Sequence, residues 1–298
     1  MPLPNTEMPH HDAKGLDTRP LRDAAQSLAQ AQAAAALAPM EAGAAICAGA
    51  QAMARTLRDG GRLWYAAAGS SGLMAAADAM ELGGTFGIHA NRIRILMAGG
   101  LPRSAEMPGD TEDASGVLPA QMADLTAADT VIAVSASGTT PFTLAAAERT
   151  RACGATLIGI ANNADSALLR CSDHPILLAT PPEVIPGSTR MGAGTAQKIA
   201  LNMLSTLMAL ELGHIHDGMM VNLRADNAKL RARAAGIVRA VTGADDAAAA
   251  AALETTGGEV KPAVLIAAGA ASEEAARALL SENGGRLRPA LHMLATRT

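Results

Sequence analysis

Two serine-rich turns carry the residue types that seat an anion. The first is Gly69-Ser70-Ser71-Gly72, reached from the apolar run Trp64-Tyr65-Ala66-Ala67-Ala68. The second is Ser135-Ala136-Ser137-Gly138-Thr139-Thr140, reached from Val131-Ile132-Ala133-Val134. In each, a strand pattern ends in glycine and small hydroxyl residues, and a helix pattern follows. Free backbone N–H groups at a helix start, joined by hydroxyls, converge on one point and suit a phosphate or another anion. Two such turns in one α/β unit suggest a phosphorylated small molecule gripped at the edge of a parallel sheet. A third turn, Pro186-Gly187-Ser188-Thr189-Arg190, enters a helix that carries Lys198. Arg190 and Lys198 add positive charge there, and the segment reads equally as an anion seat or as a capped helix flanked by surface charges.

Two acids stand near these turns. Glu81 closes the helix pattern that starts at the first turn, and on its own it reads as a solvated helix end. Glu112 follows the second strand pattern within Gly109-Asp110-Thr111-Glu112-Asp113. With Thr111 as a helix cap, Glu112 and Asp113 read as ordinary first-turn acids.

The elements that position these residues alternate. Apolar runs predict strands at 62–68, 92–98, 130–135, 156–161 and 175–179. Helices are predicted to start near Ser71, Thr111, Pro141 and Asp165, and a long one to span 190–212. Near-continuous apolar strands between helices predict a parallel sheet covered on both faces. Ligands of such sheets sit at the carboxyl ends of the strands, where both serine-rich turns fall. Residues 1–17 read as an extended arm whose His10-His11 is an exposed surface pair, and 18–58 read as helix with a break near Pro39. Past Gly213, helix patterns cover 226–241, 245–255 and 272–282, and no repeat at solenoid spacing stands out. The division expected is an N-terminal arm and helices (1–59), an α/β domain (60–215) and a C-terminal helical region (216–298).

Composition narrows the function classes. The 298 residues are 49% hydrophobic but only 1% aromatic, so the core is built from Ala, Leu, Ile, Val and Met. A net charge of −4 with no Lys/Arg block, and so few aromatics for base stacking, argue against a nucleic-acid partner. Cys47, Cys153 and Cys171 lack metal-ligand spacing and read as buried thiols in a reducing cytoplasm. The N-terminus has no apolar signal region, and the apolar stretch 199–212 is too short and too polar for a membrane span.

Taken together, these segments resemble the N-acetylmuramic acid 6-phosphate etherase family, whose core is the sugar isomerase (SIS) phosphosugar-binding fold, shared with glucokinase-regulatory-protein-like relatives. The resemblance rests on Thr6-Glu7, Gly69-Ser70-Ser71-Gly72, Asp78-Ala79-Met80-Glu81, Thr111-Glu112-Asp113 and Ser135-Ala136-Ser137-Gly138 with Thr140-Pro141. It is strongest over Gly187-Ser188-Thr189-Arg190-Met191 and Ala193-Gly194-Thr195-Ala196-Gln197-Lys198. The implied architecture is a three-layer α/β SIS domain with a parallel sheet, N-terminal helices and a small C-terminal helical appendage. The implied reaction cleaves the D-lactyl ether at C3 of N-acetylmuramic acid 6-phosphate, giving N-acetylglucosamine 6-phosphate and D-lactate. The family's two acidic positions fall on Glu81 and Glu112, with Glu112 as base at C2 and Glu81 as acid for lactate and base for water. The implied phosphosugar contacts are Ser70, Ser71, Gly72, Ser135, Ser137, Gly138, Thr140, Ser188, Arg190 and Lys198, with no metal or organic cofactor.

The chain departs from the family pattern at Leu73 and Thr139, where many relatives carry arginine, leaving Arg103, Arg190 and Lys198 to balance the anion. Glu81 lies ten residues past Ser71, about 15 Å along a helix. A hexose phosphate holds its C2 much closer to phosphorus than that, so Glu81 is expected to serve a phosphate bound by other turns or by a second subunit. A homodimer with a shared active site follows, in the cytoplasm, within amino-sugar catabolism and peptidoglycan recycling. The alternatives on the same fold are a non-catalytic phosphosugar sensor and a phosphosugar isomerase.

Overall fold

The computed structural model describes residues 3–107, 109–223, 225 and 227–297. The chain forms two compact units: residues 1–80 with 91–205, and residues 81–90 with 206–298.

In the first unit, α1 (Leu21–Ala35), α2 (Ala38–Glu41) and α3 (Gly43–Arg58) precede the sheet. The helical run begins after Pro20 and is interrupted around Pro39, as a residue without an amide donor requires. Next come β1 (Leu63–Ala67), α4 (Gly69–Phe86), β2 (Ile93–Met97), α5 (Leu118–Gln121), β3 (Thr130–Val134), α6 (Pro141–Ala152), β4 (Thr156–Ala161), α7 (Ala167–Cys171), β5 (His174–Leu177) and α8 (Gly192–Glu211). The five strands are all parallel in the order β2-β1-β3-β4-β5, with Ala67 of β1 level with Val134 of β3. β1 and β3 are buried along their whole length, which is why their sequences read as continuous apolar runs. One face packs Trp64, Val131, Ala133 and Leu157 against Phe142 and Ala146 of α6. The other lies under α3, where Gly49 is so close to Ile158 and Leu204 that a Cβ there would sit 2.9 Å from Leu204 Cδ2. The result is the expected three-layer sandwich. Pro175 is tolerated because β5 is an edge strand.

Three readings change. The helix expected from Thr111 is only a 3-10 turn at Gly109–Asp113, since Gly109, Gly116 and Pro119 deny the segment a continuous α-helix. The arm is not free: Thr6 is buried, its N–H donates to Asn163 Oδ1 (3.2 Å), and the Gly187 N–H donates to its carbonyl (3.1 Å). The cysteines are not core thiols: Cys47 is exposed, and Cys153 and Cys171 are half-buried. Among the described residues, no single helix is long and apolar enough to cross a membrane.

The second unit adds the hairpin β6 (Ile215–His216) and β7 (Met219–Met220), then α9 (Ala228–Thr242), α10 (Asp246–Thr255), α11 (Val260–Ala267), α12 (Glu273–Glu282) and α13 (Leu287–Arg297). Asp226, where the sequence pattern for α9 begins, lies outside the described residues. An internal repeat is present after all, at an offset of 27 residues (Asp245 to Ser272). Asp245 caps α10 through the Ala248 N–H, and Ser272 caps α12 through the Ala275 N–H. Each helix ends in a Gly-Gly pair of positive φ, with Gly258 N–H bonded to Leu253 O and Gly285 N–H to Leu280 O. Each pair leads into a Pro-Ala helix start, Lys261-Pro262-Ala263 and Arg288-Pro289-Ala290. Two helix–Gly-Gly–helix copies thus build one core around Val260, Val264, Leu279 and Leu287.

His214 gives this unit an acid-side weakness. Burial first, then the positive charge of Lys261, pushes the His214 imidazole down to about 4, against a contribution from the Phe86 carbonyl. The unfolded chain therefore binds a proton that the folded unit refuses. Stability is whole above the ordinary histidine pKa near 6.5 and falls as pH drops toward 4, by at most about 3 kcal/mol. Urea unfolding between pH 7 and 4.5 measures this slope, and His214→Asn is expected to flatten it.

Candidate functional site

The two serine-rich turns leave the carboxyl ends of β1 and β3, which are neighbours in the sheet. The chain winds one way from β1 to β2 and the other way from β3 to β5, so this edge is the switch point where doubly wound sheets bind ligands. At the first turn, Gly69 opens α4 with φ 54, and Ser70 and Ser71 are half-buried in its first turn. Gly72 packs so closely on β2 that a Cβ would lie 2.9 Å from Met97 Cγ.

Glu112 comes to this turn from the 3-10 segment after β2. Its Oε1 lies against the Cα of Gly69, where a Cβ would overlap it. The same approach recurs one step away, where a Cβ on Gly99 (φ 76) would lie 2.9 Å from Thr111 Oγ1. Glycines at both places let the Thr111-Glu112 segment close onto the β1–α4 turn. A carboxylate is thereby held at the start of the turn that carries Ser70 and Ser71.

The second turn is a hydroxyl cluster. Ser135 Oγ is 2.8 Å from Thr140 Oγ1 and 3.3 Å from Ser137 Oγ, and it accepts the Gly138 N–H at 3.0 Å. Ser137 Oγ accepts from the Thr139 N–H (3.2 Å) and hydroxyl (3.0 Å). Gly138 has φ 68, and a Cβ there would strike Ser166, so the turn requires glycine. Thr140 and Pro141 then start α6, with proline at the first helical position.

The third turn differs. The buried carboxylate of Glu183 accepts the N–H groups of Gly192 and Ala193, both at 2.9 Å. The chain's own anion therefore occupies the amino end of α8. Ser188 is half-buried and Arg190 is exposed beside it. Lys198 is exposed further along α8, where its Nζ donates to Asn202 Oδ1 (2.7 Å). Asn202 in turn donates to buried Asp78 on α4 (2.9 Å), which also accepts from Ser205 (2.9 Å) and Tyr65 (3.1 Å). The acceptance of a phenol and two uncharged donors by one buried carboxylate fixes α4 against α8 and raises the Tyr65 pKa, by burial first and then by the Asp78 charge. Glu81 belongs to the second unit and is exposed on α4. Of the two departures from the family pattern, Leu73 is 36% exposed and Thr139 is exposed.

Asn163 and Glu183 were not singled out from sequence, and Asp78 entered only as part of a matching segment. Asn163 Nδ2 donates to Thr6 Oγ1 (3.0 Å) and Ser137 O (3.4 Å), while Thr6 O accepts from Gly187. One amide thus ties the second turn, the third turn and the N-terminal arm. Asn163→Ala is expected to free the Ser137 turn and weaken phosphosugar binding about tenfold, since the lost bonds are worth roughly 1–2 kcal/mol. Isothermal titration with a phosphosugar measures it, and unchanged affinity removes Asn163 from the site.

The chain is similar to several known proteins. A SIS domain pattern matches residues 101–211. The N-acetylmuramic acid 6-phosphate etherase of Deinococcus radiodurans is 44% identical over 263 residues, spanning 88% of this chain and 86% of that protein. The enzyme of the same name from Streptomyces avermitilis is 43% identical over 248 residues, spanning 83% and 80%. Among solved structures, a phosphoheptose isomerase from Francisella tularensis aligns with a TM-score of 0.44 and 19% identity, over 66% of this chain and 99% of that one.

Proposed function

This chain belongs to the N-acetylmuramic acid 6-phosphate etherase family, and on that premise we propose that it cleaves the D-lactyl ether of N-acetylmuramic acid 6-phosphate by elimination followed by hydration. The observation that carries this reading is the Glu112 carboxylate lodged against Gly69, at the switch point between the two serine-rich turns.

An ether is a poor leaving group at a ring carbon. The open-chain sugar has an aldehyde at C1, which makes its C2 proton removable. In this reading Ser70, Ser71, Ser135, Ser137 and Thr140, with their backbone N–H groups, hold the phosphate. Glu112 takes the C2 proton, Glu81 protonates the departing lactate oxygen, and an unsaturated aldehyde forms. Glu81, now a carboxylate, takes a proton from the water that adds at C3, and Glu112 returns its proton to C2. Each acid/base step is worth roughly 10²–10⁴ in rate. Ser188, Arg190 and Lys198 supply the remaining polar and positive groups around the sugar. Because Glu81 is exposed and helically remote from Ser71, a second copy supplies it. The exposed Leu73 and Met80 (36% and 61%) give α4 an apolar side for that copy. In this reading the homodimer works in the cytoplasm, in peptidoglycan recycling.

The test is incubation with N-acetylmuramic acid 6-phosphate in deuterated water, following D-lactate and C2 deuterium by NMR. D-lactate release with deuterium at C2 is expected. Deuterium exchange with a ketose product and no lactate would make the protein an isomerase. Binding without exchange would make it a sensor.

A further inference from the structure

We propose that a pocket in the second unit, built on the buried ammonium of Lys261, is a binding site for a small oxyanion. The pocket encloses ≈ 520 Å³ and is lined by Gly87, His89, Asn222, Glu259, Lys261 and Gly285, among others. Lys261 stands in the first turn of α11 and is only 8% exposed. Its Nζ donates to Gly285 O at 2.9 Å. An ammonium has three donors and no acceptor, so two N–H groups remain for a ligand.

No described carboxylate neutralises it. Glu259, the acid in the pocket wall, is held by both terminal nitrogens of Arg277 at 3.1 and 2.8 Å. The matching residue of the second repeat shows the contrast: Arg288 is exposed and paired with Asp217. An ammonium withdrawn from water without a counter-ion is costly to keep, and burial pushes Lys261 down to about 8. The first backbone N–H groups of α11 add partial positive charge at the same place. A cation with spare donors lining such a pocket suits an oxyanion, either a phosphate group or a carboxylate.

The site residues all belong to the second unit, whereas both serine-rich turns belong to the first. A readout at Lys261 itself is therefore needed, because phosphate is also expected at the turns. Lys14, Lys198, Lys229 and Lys261 are the lysines of the chain, so full-length protein labelled with ¹³C at lysine Cε gives a short spectrum. Lys261→Arg identifies the Lys261 signal. Its titration is followed without ligand, with inorganic phosphate and with D-lactate. A bound anion favours the charged form, so an upward shift of about one pH unit, equivalent to roughly tenfold tighter binding to the charged lysine, is expected. A shift with phosphate alone assigns a phosphate group, and a shift with D-lactate alone a carboxylate. A titration unmoved by either ligand at tens of millimolar overturns the proposal. Lys261→Met separates binding from structure: it is expected to fold with undiminished thermal stability, because it removes an uncompensated charge. A large loss of stability would instead mark Lys261 as a structural prop and also overturn the proposal.

Discussion

Glu112→Gln is expected to lower D-lactate release by roughly 10²–10⁴ while leaving phosphosugar affinity within a few fold. Glutamine keeps the shape of the side chain against Gly69 but cannot take a proton. Exchange of deuterium into C2 must fall with lactate release, because both begin with removal of the same proton. Glu81→Gln is expected to split the two. It leaves the C2 base in place, so exchange continues while lactate departs slowly. NMR of both signals in one sample distinguishes the roles without any assumption about rates. If Glu112→Gln exchanges deuterium at the normal rate, the base lies elsewhere and the contact with Gly69 is only packing. If both variants lose both signals equally, proton removal and lactate departure are one concerted event.

How far the sequence led depends on the kind of signal. Strand ends could be read to within about a residue at β1, β2, β3 and β4; in β1 and β3 this follows from burial along the whole strand, which leaves a near-continuous apolar run. The serine-rich turns were legible because glycine and hydroxyl residues mark a loop that changes direction at a helix start. The position of Glu112 was not. Its neighbour Gly69 lies a whole helix and strand earlier in the chain, and only the parallel pairing of β1 with β2 brings them together. Nor could sequence show that Glu183 fills the amino end of α8, because a carboxylate in a Pro-rich loop looks like any surface acid. The 27-residue repeat was readable in its two Gly-Gly and Pro-Ala blocks, but the alanine run 247–252 hides the pairing between α10 and α12. Asp78 shows the limit from the other side. It is a charged residue in a helix pattern, yet it is 4% exposed and satisfied by three uncharged donors.

Gly69→Ala is the sharper test of the site, because it changes no chemical group in it. Gly69 sits at φ 54, and an alanine there meets two penalties. The left-handed backbone costs about 1 kcal/mol for a residue with a Cβ. The new methyl also overlaps Glu112 Oε1, so the carboxylate or the turn must move. The first penalty appears as a melting temperature lower by a few degrees. The second appears as lost turnover: a displacement near 1 Å in a catalytic group costs on the order of 10²-fold. The two effects separate in the double variant Gly69→Ala with Glu112→Gln. If glycine matters only by admitting the carboxylate, removing the carboxylate first leaves nothing more to lose, and the double variant is as slow as Glu112→Gln alone. Additive losses would mean that the methyl damages the phosphate seat made by Ser70 and Ser71 rather than the base. A Gly69→Ala protein with unimpaired turnover would break the link between this contact and catalysis, whatever Glu112→Gln showed.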